Sequence, residues 1–254
     1  MSQSQIVERF LHGRRIRLLV KDPREYLQSH WVRGEIYEDE LYGNGIVRHA
    51  LGSVVSRISR SVRGHERKGM LGFIGERYRK GTFLDVGSCI GNHSLFFAIA
   101  CDAERVISFE PVPELAAHQR EVLELNGLKQ VELIEAAVGD RPGTARFRRA
   151  SAGNAGMGRV TESGDLEVRV TTIDETLRGR ELPPVRLVKL DVEGYNVPAL
   201  RGAREMLARD KPDVFVECET RDELAKVEGE LARFSLQTDI VFNKTPTYLF
   251  VPRG

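Results

Sequence analysis

The sequence FLDVGSCIGN at Phe83–Asn92 decides the fold. It begins as a run of apolar and β-branched residues, as buried strands do, passes through a turn that contains two glycines, and leads into a helical pattern. A strand, a glycine-bearing turn and a helix in this order mark the place where open parallel sheets bind a cofactor. The sequence therefore predicts a ligand site at the carboxyl end of the strand Thr82–Val86.

The acid within this stretch distinguishes between cofactors. A dinucleotide site needs G-x-G-x-x-G and places a pyrophosphate at the helix N-terminus, where a carboxylate would repel it. Here the spacing is D-x-G-x-x-x-G, formed by Asp85, Gly87 and Gly91, which predicts a ligand that carries positive charge. Glu110 ends the next predicted strand, where a carboxylate commonly accepts both ribose hydroxyls. These residues predict S-adenosylmethionine, which has an ammonium and a sulfonium but no phosphate, and they disfavour a nicotinamide-dependent oxidoreductase.

Beyond this turn, strands and helices alternate, which predicts an α/β fold with a mostly parallel sheet and helices on both faces. Leu236–Phe242 and Thr247–Val251 are separated by too few residues for a parallel crossover, so we expect an antiparallel hairpin. Thr144–Arg149 and Glu167–Ile173 form an extra extended pair, and the glycine-rich segment Ser151–Gly158 between them is a candidate rim for a pocket. The remaining predicted strands are Arg105–Glu110, Val131–Val138, Val185–Val192 and Asp213–Glu219, and the predicted helices are Asn92–Cys101, Pro113–Asn126, Val197–Arg209 and Asp222–Phe234.

Residues 1–80 are less regular than residues 81–254, so we expect an N-terminal helical cap followed by the cofactor-binding domain. Apolar residues recur at three- and four-residue steps between Leu51 and Val62, which predicts a helix with one apolar stripe. Between Arg57 and Lys80, eight Lys and Arg are opposed by only two Glu. This basic stretch is either a solvated helical surface or a contact for an anionic substrate.

Composition limits the class of protein. The 254 residues carry 38 Lys and Arg against 37 Asp and Glu, a net charge of +1 that provides no overall attraction for nucleic acid or an anionic membrane. No stretch approaches the roughly 20 apolar residues of a membrane span, and the first residues lack the apolar region of a secretory signal. Three cysteines without a C-x-x-C pair fit reduced thiols and argue against structural zinc. These features predict a cytoplasmic location, and they do not indicate an oligomeric state.

Several motifs resemble the FkbM-type S-adenosylmethionine-dependent methyltransferases from about Gly34 to Pro252. They are Asp85–Ser94 (DVGSCIGNHS), Phe109–Pro111 (FEP), Ala137–Asp140 (AVGD), Thr172–Asp174 (TID), Lys189–Tyr195 (KLDVEGY), Leu200–Ala203 (LRGA) and Asn243–Thr247 (NKTPT). The resemblance implies a class I methyltransferase fold, a Rossmann-like three-layer sandwich of seven strands with the last inserted antiparallel. It also implies methyl transfer to a hydroxyl of a sugar or another natural-product-like small molecule. The cofactor contacts that we expect from these motifs are Asp85, Gly87, Ser88, Gly91, Asn92, Glu110, Pro111, Ala137 and Asp191.

Acids at the end of the strand Val185–Val192 are the candidates for chemistry. A hydroxyl acceptor must lose a proton during methyl transfer, and Asp191 and Glu193 lie two residues apart, so they point to the same side of an extended chain. Asp191 is either the general base or a ligand of the cofactor's amino-acid end, and Glu193 is the alternative base. His93, just after the glycine turn, is a third candidate because a helix N-terminus favours its neutral form.

Glu217 and Glu219 repeat the two-residue spacing on the adjacent strand. Four acids at neighbouring strand ends could bind a divalent cation through oxygen, but the spacing is not diagnostic of a metal. We favour instead an ion pair of Glu217 or Glu219 with Lys189, which would otherwise be costly inside a core strand.

The acceptor is expected to contact polar side chains near the same strand ends. Asn154, Asn243 and Thr245 offer groups that could bind its hydroxyls, although each fits equally well as a turn former. The expected partner is a small molecule or a glycan and not a nucleic acid, since no N-P-P-Y or D-P-P-Y string follows the fourth strand. The alternative from another class is a module that binds S-adenosylmethionine without turnover.

Overall fold

The computed structural model describes residues 5–11, 14–20, 69–149, 158–243 and 245–254. Its strands are β1 (Gln5–Leu11), β2 (Arg14–Val20), β3 (Thr82–Val86), β4 (Arg105–Phe109), β5 (Val131–Ile134), β6 (Ala137–Val138), β7 (Gly143–Arg148), β8 (Arg159–Val160), β9 (Leu166–Thr171), β10 (Val185–Leu190), β11 (Asp213–Glu217), β12 (Phe234–Phe242) and β13 (Thr247–Pro252). Its helices are α1 (Gly69–Arg77), α2 (Asn92–Ile99), α3 (Pro113–Leu125), α4 (Ile173–Leu177), α5 (Asn196–Arg201), α6 (Arg204–Asp210) and α7 (Arg221–Glu230).

The main sheet has seven strands in the order β12-β13-β11-β10-β3-β4-β5. The pairs that join β11, β10, β3, β4 and β5 are parallel, whereas β13 is antiparallel to both β11 and β12. The expected sheet and its C-terminal hairpin are therefore confirmed. The order reverses at β3 and β10, and the carboxyl ends of strands beside such a reversal form the crevice in which open α/β sheets bind ligands.

Helices cover both faces of this sheet. On β3, Phe83 packs into a core with α1 and α2, and Leu84 packs into a second core with α4 to α7. The same alternation separates Leu187 from Val188 on β10. Successive side chains of a strand point to opposite faces, so each central strand contributes to both cores and the domain has three layers.

A smaller sheet, β6-β9-β7-β8, stands beside the main one. The expected extra extended pair is present as β7 and β9, which are antiparallel to each other. Phe147, Val168 and Val170 form a third apolar cluster with Val112, at the start of α3. The glycine-rich segment expected at the rim lies almost wholly outside the described residues, apart from Gly158.

Two predicted elements are each divided into two in the structure. Val131–Val138 is not one strand, because β5 ends at Ile134 and β6 belongs to the smaller sheet. Val197–Arg209 is not one helix, because it breaks at Gly202 and Ala203. A Cβ on Gly202 would lie 2.0 Å from the carbonyl oxygen of Gly139, so the break allows a close backbone approach that an ordinary helical residue would prevent.

The N-terminal region is described only in part. β1 and β2 form an antiparallel hairpin that the sequence analysis did not predict. Of the expected cap, α1 is helical, whereas the helix expected at Leu51–Val62 lies outside the described residues. All three cysteines are free thiols. Among the helices that the structure describes, none has the length and apolar character needed to cross a bilayer.

Candidate functional site

A cleft opens at the carboxyl ends of β3, β4 and β10. Its polar wall includes Gly87, Cys89, Glu110 and Asp191. The other residues that line it are Val86, Phe109, Pro111, Val112, Leu115, Ala136, Ala137, Val138, Phe147, Gly158, Val160, Val192 and Tyr195. Of the cofactor contacts expected from the sequence, Gly87, Glu110, Pro111, Ala137 and Asp191 lie at this cleft.

The turn after β3 depends on glycine at position 87. Gly87 has φ +80°, and a Cβ there would lie 1.9 Å from the carbonyl oxygen of Asp191. The N–H of Asp191 donates to the carbonyl of Val86 at 3.0 Å, so the turn and the end of β10 are held in direct contact. Any larger residue at 87 would push apart two segments of the cleft wall.

Glu110 closes the cleft at the end of β4. It is buried, and its two carboxylate oxygens accept from the backbone N–H groups of Cys89 and Val112, each at 2.8 Å. Burial raises the pKa of Glu110 to about 7, although these two N–H groups act in the opposite direction. The carboxylate therefore ties the glycine turn to the start of α3 and still has lone pairs for a ligand.

Asp85 lies behind the wall of the cleft, fully buried. Its Oδ2 accepts from Ser94 Oγ at 2.6 Å, and its Oδ1 is 3.4 Å from Lys189 Nζ. The cation that Asp85 faces in the structure is Lys189, whereas a contact of Asp85 with a positively charged ligand stays a prediction. Asp85 therefore lies beneath the glycine turn, in contact with the lysine that donates to the carbonyl of Gly87.

Three other expected cofactor contacts also lie away from the cleft. Ser88 Oγ donates to Gln119 Oε1 at 2.8 Å, and Gln119 Nε2 donates to Ser108 Oγ at 2.6 Å, so Ser88 belongs to a buried polar network. Gly91, at φ +85°, packs against the Gln119 side chain, and Asn92 begins α2. These residues shape the turn from its inner side.

Acids converge at the ends of β10 and β11. One carboxylate oxygen from each of Asp191, Glu193 and Glu217 lies within 4.8 Å of the others. Burial, then the hydrogen bond with Glu219, raises the pKa of Glu193 to about 7. Burial and the charge of Asp191 raise the pKa of Glu217 to about 8, against the opposing effect of Lys189. The cluster can thus hold protons near neutral pH, and its oxygens are also close enough to share a divalent cation.

Lys189 does not form the expected ion pair with Glu217 or Glu219. Its Nζ is 3.4 Å from both Asp85 Oδ1 and Asp191 Oδ2. Burial, the largest influence, would lower the pKa of Lys189, but Asp191, Asp85 and Glu217 together raise it. The lysine is therefore charged, and its partners are Asp85 on β3 and Asp191 just after β10.

The other candidate catalytic and substrate-binding residues that the structure describes lie near the same carboxyl ends of the strands. His93 is buried in the first turn of α2 and does not line the cleft, and burial holds its pKa well below 6.5. Asn243 Nδ2 donates to Thr247 Oγ1 at 2.9 Å, and Thr247 is the strand partner of Glu217. The turn that contains Asn243 and Thr245 therefore lies beside the acids.

Asn154 lies outside the described residues. Sequence reasoning also missed part of the wall, namely Tyr195, Phe147 and Val160. The alternation of Phe147 with arginines along β7 was the signal that it faces inward.

Comparison with known proteins identifies the family. A family model described as the methyltransferase FkbM domain matches residues 85–236, which is more than half of the chain. This chain belongs to the FkbM methyltransferase family. The matched region begins at Asp85, near the end of β3, and includes all of β4 to β11, so it contains every cleft residue named above.

This FkbM-family chain is similar to two other methyltransferases. It is 27% identical over 123 residues to the hexuronic acid methyltransferase AglP of Haloferax volcanii, a match that covers 48% of this chain and 50% of that protein. The crystal structure of an FkbM methyltransferase from Methylobacillus flagellatus KT matches with a TM-score of 0.53 and 15% identity, over 90% of this chain and 57% of that one. The chain thus spans about half the length of each, and the structural match supports the class I methyltransferase fold.

Proposed function

We propose that this FkbM-family protein binds S-adenosylmethionine in the cleft and transfers its methyl group to a hydroxyl of a sugar or a similar small molecule. The observation that carries the proposal is the meeting of the Gly87 turn, Glu110 and Asp191 at the ends of three adjacent strands. A relative that acts on hexuronic acid supports a sugar acceptor. The net charge of +1 supports a small-molecule or glycan partner over nucleic acid.

The residues of the cleft fit such a cofactor. Gly87 lets the backbone approach a ligand, and Glu110 is positioned to accept from ribose hydroxyls. Val112, Leu115 and Pro111 provide an apolar surface for an adenine ring. S-adenosylmethionine would supply an electrophilic methyl group on a sulfonium ion.

The protein's own contribution to the chemistry is orientation and proton removal. The acceptor oxygen gains the methyl group and loses its proton, and Asp191 is the acid of the cluster that lines the cleft. We assign the proton to Asp191, with Glu193 as the neighbouring alternative. His93 is less suitable because it is buried away from the cleft.

Calorimetry with S-adenosylhomocysteine, the demethylated product, tests the cofactor. We expect micromolar affinity for the wild-type protein, and no measurable heat at millimolar ligand would refute the proposal. Transfer of a labelled methyl group to glucuronic acid and glucuronide glycosides then tests the acceptor, with the matching glucosides as the comparison.

The Asp191→Asn variant separates the two roles of this acid. A base at this position predicts a fall in kcat of at least a hundredfold with product affinity retained, in line with typical effects of general base catalysis. Loss of product affinity instead would assign Asp191 to binding the cofactor.

A further inference from the structure

Lys189 occupies an unusual position for a charged residue. It lies on β10, a central strand, where its backbone is paired with Asp85 of β3 and Phe215 of β11. Only 4% of its side chain is exposed, and it does not line the cleft. An ammonium ion in such a place is tolerated only when partners compensate for the loss of water.

The partners of this ammonium ion come from two strand ends and the turn. Nζ donates to the carbonyl oxygen of Gly87 at 3.0 Å and lies 3.4 Å from both Asp85 Oδ1 and Asp191 Oδ2. Gly87 and Asp191 line the cleft, whereas Asp85 does not. Lys189 therefore connects two groups of the cleft wall without reaching the cleft itself.

Other acids surround one of these groups. Asp191 has carboxylate neighbours in Glu193 and Glu217, with oxygens within 4.8 Å. Whenever either of these acids is ionised, its charge would repel the Asp191 carboxylate, and a cation on the other side would hold that carboxylate in place. In the described part of the chain, the cation within ion-pair distance of Asp191 is Lys189.

We propose that Lys189 is a positioning residue, whose ammonium ion fixes the Asp191 carboxylate and the Gly87 carbonyl at the wall of the cleft in the orientation that ligand binding needs. This inference rests on the proposed function, since it concerns the binding of S-adenosylmethionine. It differs from a purely structural role, in which Lys189 would only neutralise the buried charge of Asp85.

A series of variants in an Asp85→Asn background separates the two roles. Asp85→Asn removes the fully buried acid, so replacement of Lys189 then leaves no charge uncompensated beneath the turn. Asp85→Asn alone is the reference, because its lysine keeps Gly87 and Asp191 as partners. Lys189→Met is added to remove the ammonium ion, and Lys189→Gln is added to keep one N–H donor for the carbonyl of Gly87.

The measurements are the affinity for S-adenosylhomocysteine by calorimetry and the thermal unfolding midpoint. We expect the Lys189→Met double variant to bind at least fivefold more weakly than the reference at a similar midpoint, with Lys189→Gln between the two. A smaller loss in the Lys189→Met double variant would overturn the positioning role. If that variant does not fold, the Lys189→Gln variant decides: weaker binding than the reference supports the role, and equal binding overturns it.

Product binding by the wild-type protein distinguishes failure of the proposed function from failure of the role proposed for Lys189. Absence of product binding by the wild type would overturn the proposed function and this inference with it. Binding by the wild type together with equal binding by the reference and both double variants would overturn only the role of Lys189.

Discussion

Replacing Gly87 by alanine tests the close contact on which the cleft depends. Gly87 has φ +80°, and the left-handed region costs an ordinary residue about 1–2 kcal/mol. The added Cβ would also meet the carbonyl oxygen of Asp191 at 1.9 Å and Val192 Cγ1 at 3.2 Å. Overpacking of this kind costs about 1–3 kcal/mol. We therefore expect Gly87→Ala to lower the free energy of unfolding by about 2–5 kcal/mol.

Gly179→Ala is the matched control for this variant. Gly179 has φ +71° and no neighbouring atom within 4 Å of its Cβ position, so it carries the backbone strain without the collision. Urea unfolding of both variants measures the difference, which we expect to be about 1–3 kcal/mol. Equal stability of the two variants would refute the close contact. We also expect the Gly87 variant alone to bind S-adenosylhomocysteine at least tenfold more weakly, because the wall must shift.

Three further predictions concern the acids of the site. Glu110→Ala should weaken binding of S-adenosylhomocysteine at least tenfold in calorimetry, because two backbone N–H groups of the wall lose their acceptor, and the exposed Glu121→Ala variant should bind as the wild type does. The pKa of Glu193 is raised from 4.5 to about 7, and that of Glu217 from 4.5 to about 8. Between the ordinary pKa and the raised pKa of each group, the folded state therefore holds more protons than the unfolded state. The free energy of unfolding should therefore fall as the pH rises from about 6.5 to about 8, above the range in which the lowered pKa of His93 has the opposite effect. The fall should be less steep in Glu217→Gln, and a rise across this range would contradict the assignment. Because these two acids can be protonated near neutral pH, methyl transfer should continue in EDTA, and a loss of activity that Mg²⁺ restores would instead assign a cation to the cluster.

Local patterns were sufficient for most of the sheet. The predicted bounds of β3, Thr82 and Val86, agree with the structure, since an apolar run followed by glycine is a local signal. The antiparallel hairpin of β12 and β13 followed from the short connection alone. The break between β5 and β6 could not be predicted, because both pieces are apolar and only the assembly of two sheets separates them.

The sequence did not predict which residues would pair with the buried charges. The motif from Lys189 to Tyr195 indicated acids at the end of β10, but it did not show that Lys189 would meet Asp85 and Asp191 rather than Glu217. That outcome depends on the register between β3 and β10, which brings Lys189 to the carbonyl of Gly87 across 102 positions of the chain.

The amino-acid sequence by itself determined the strand and the glycine turn, because these depend on side-chain periodicity and on backbone freedom within a few residues, and its motifs carried the resemblance to the family. Only the tertiary structure decided which acids face the cleft and which support it from behind. The reason is that a buried charged side chain turns toward the nearest opposite charge in space, and that charge comes from a strand far away in the chain.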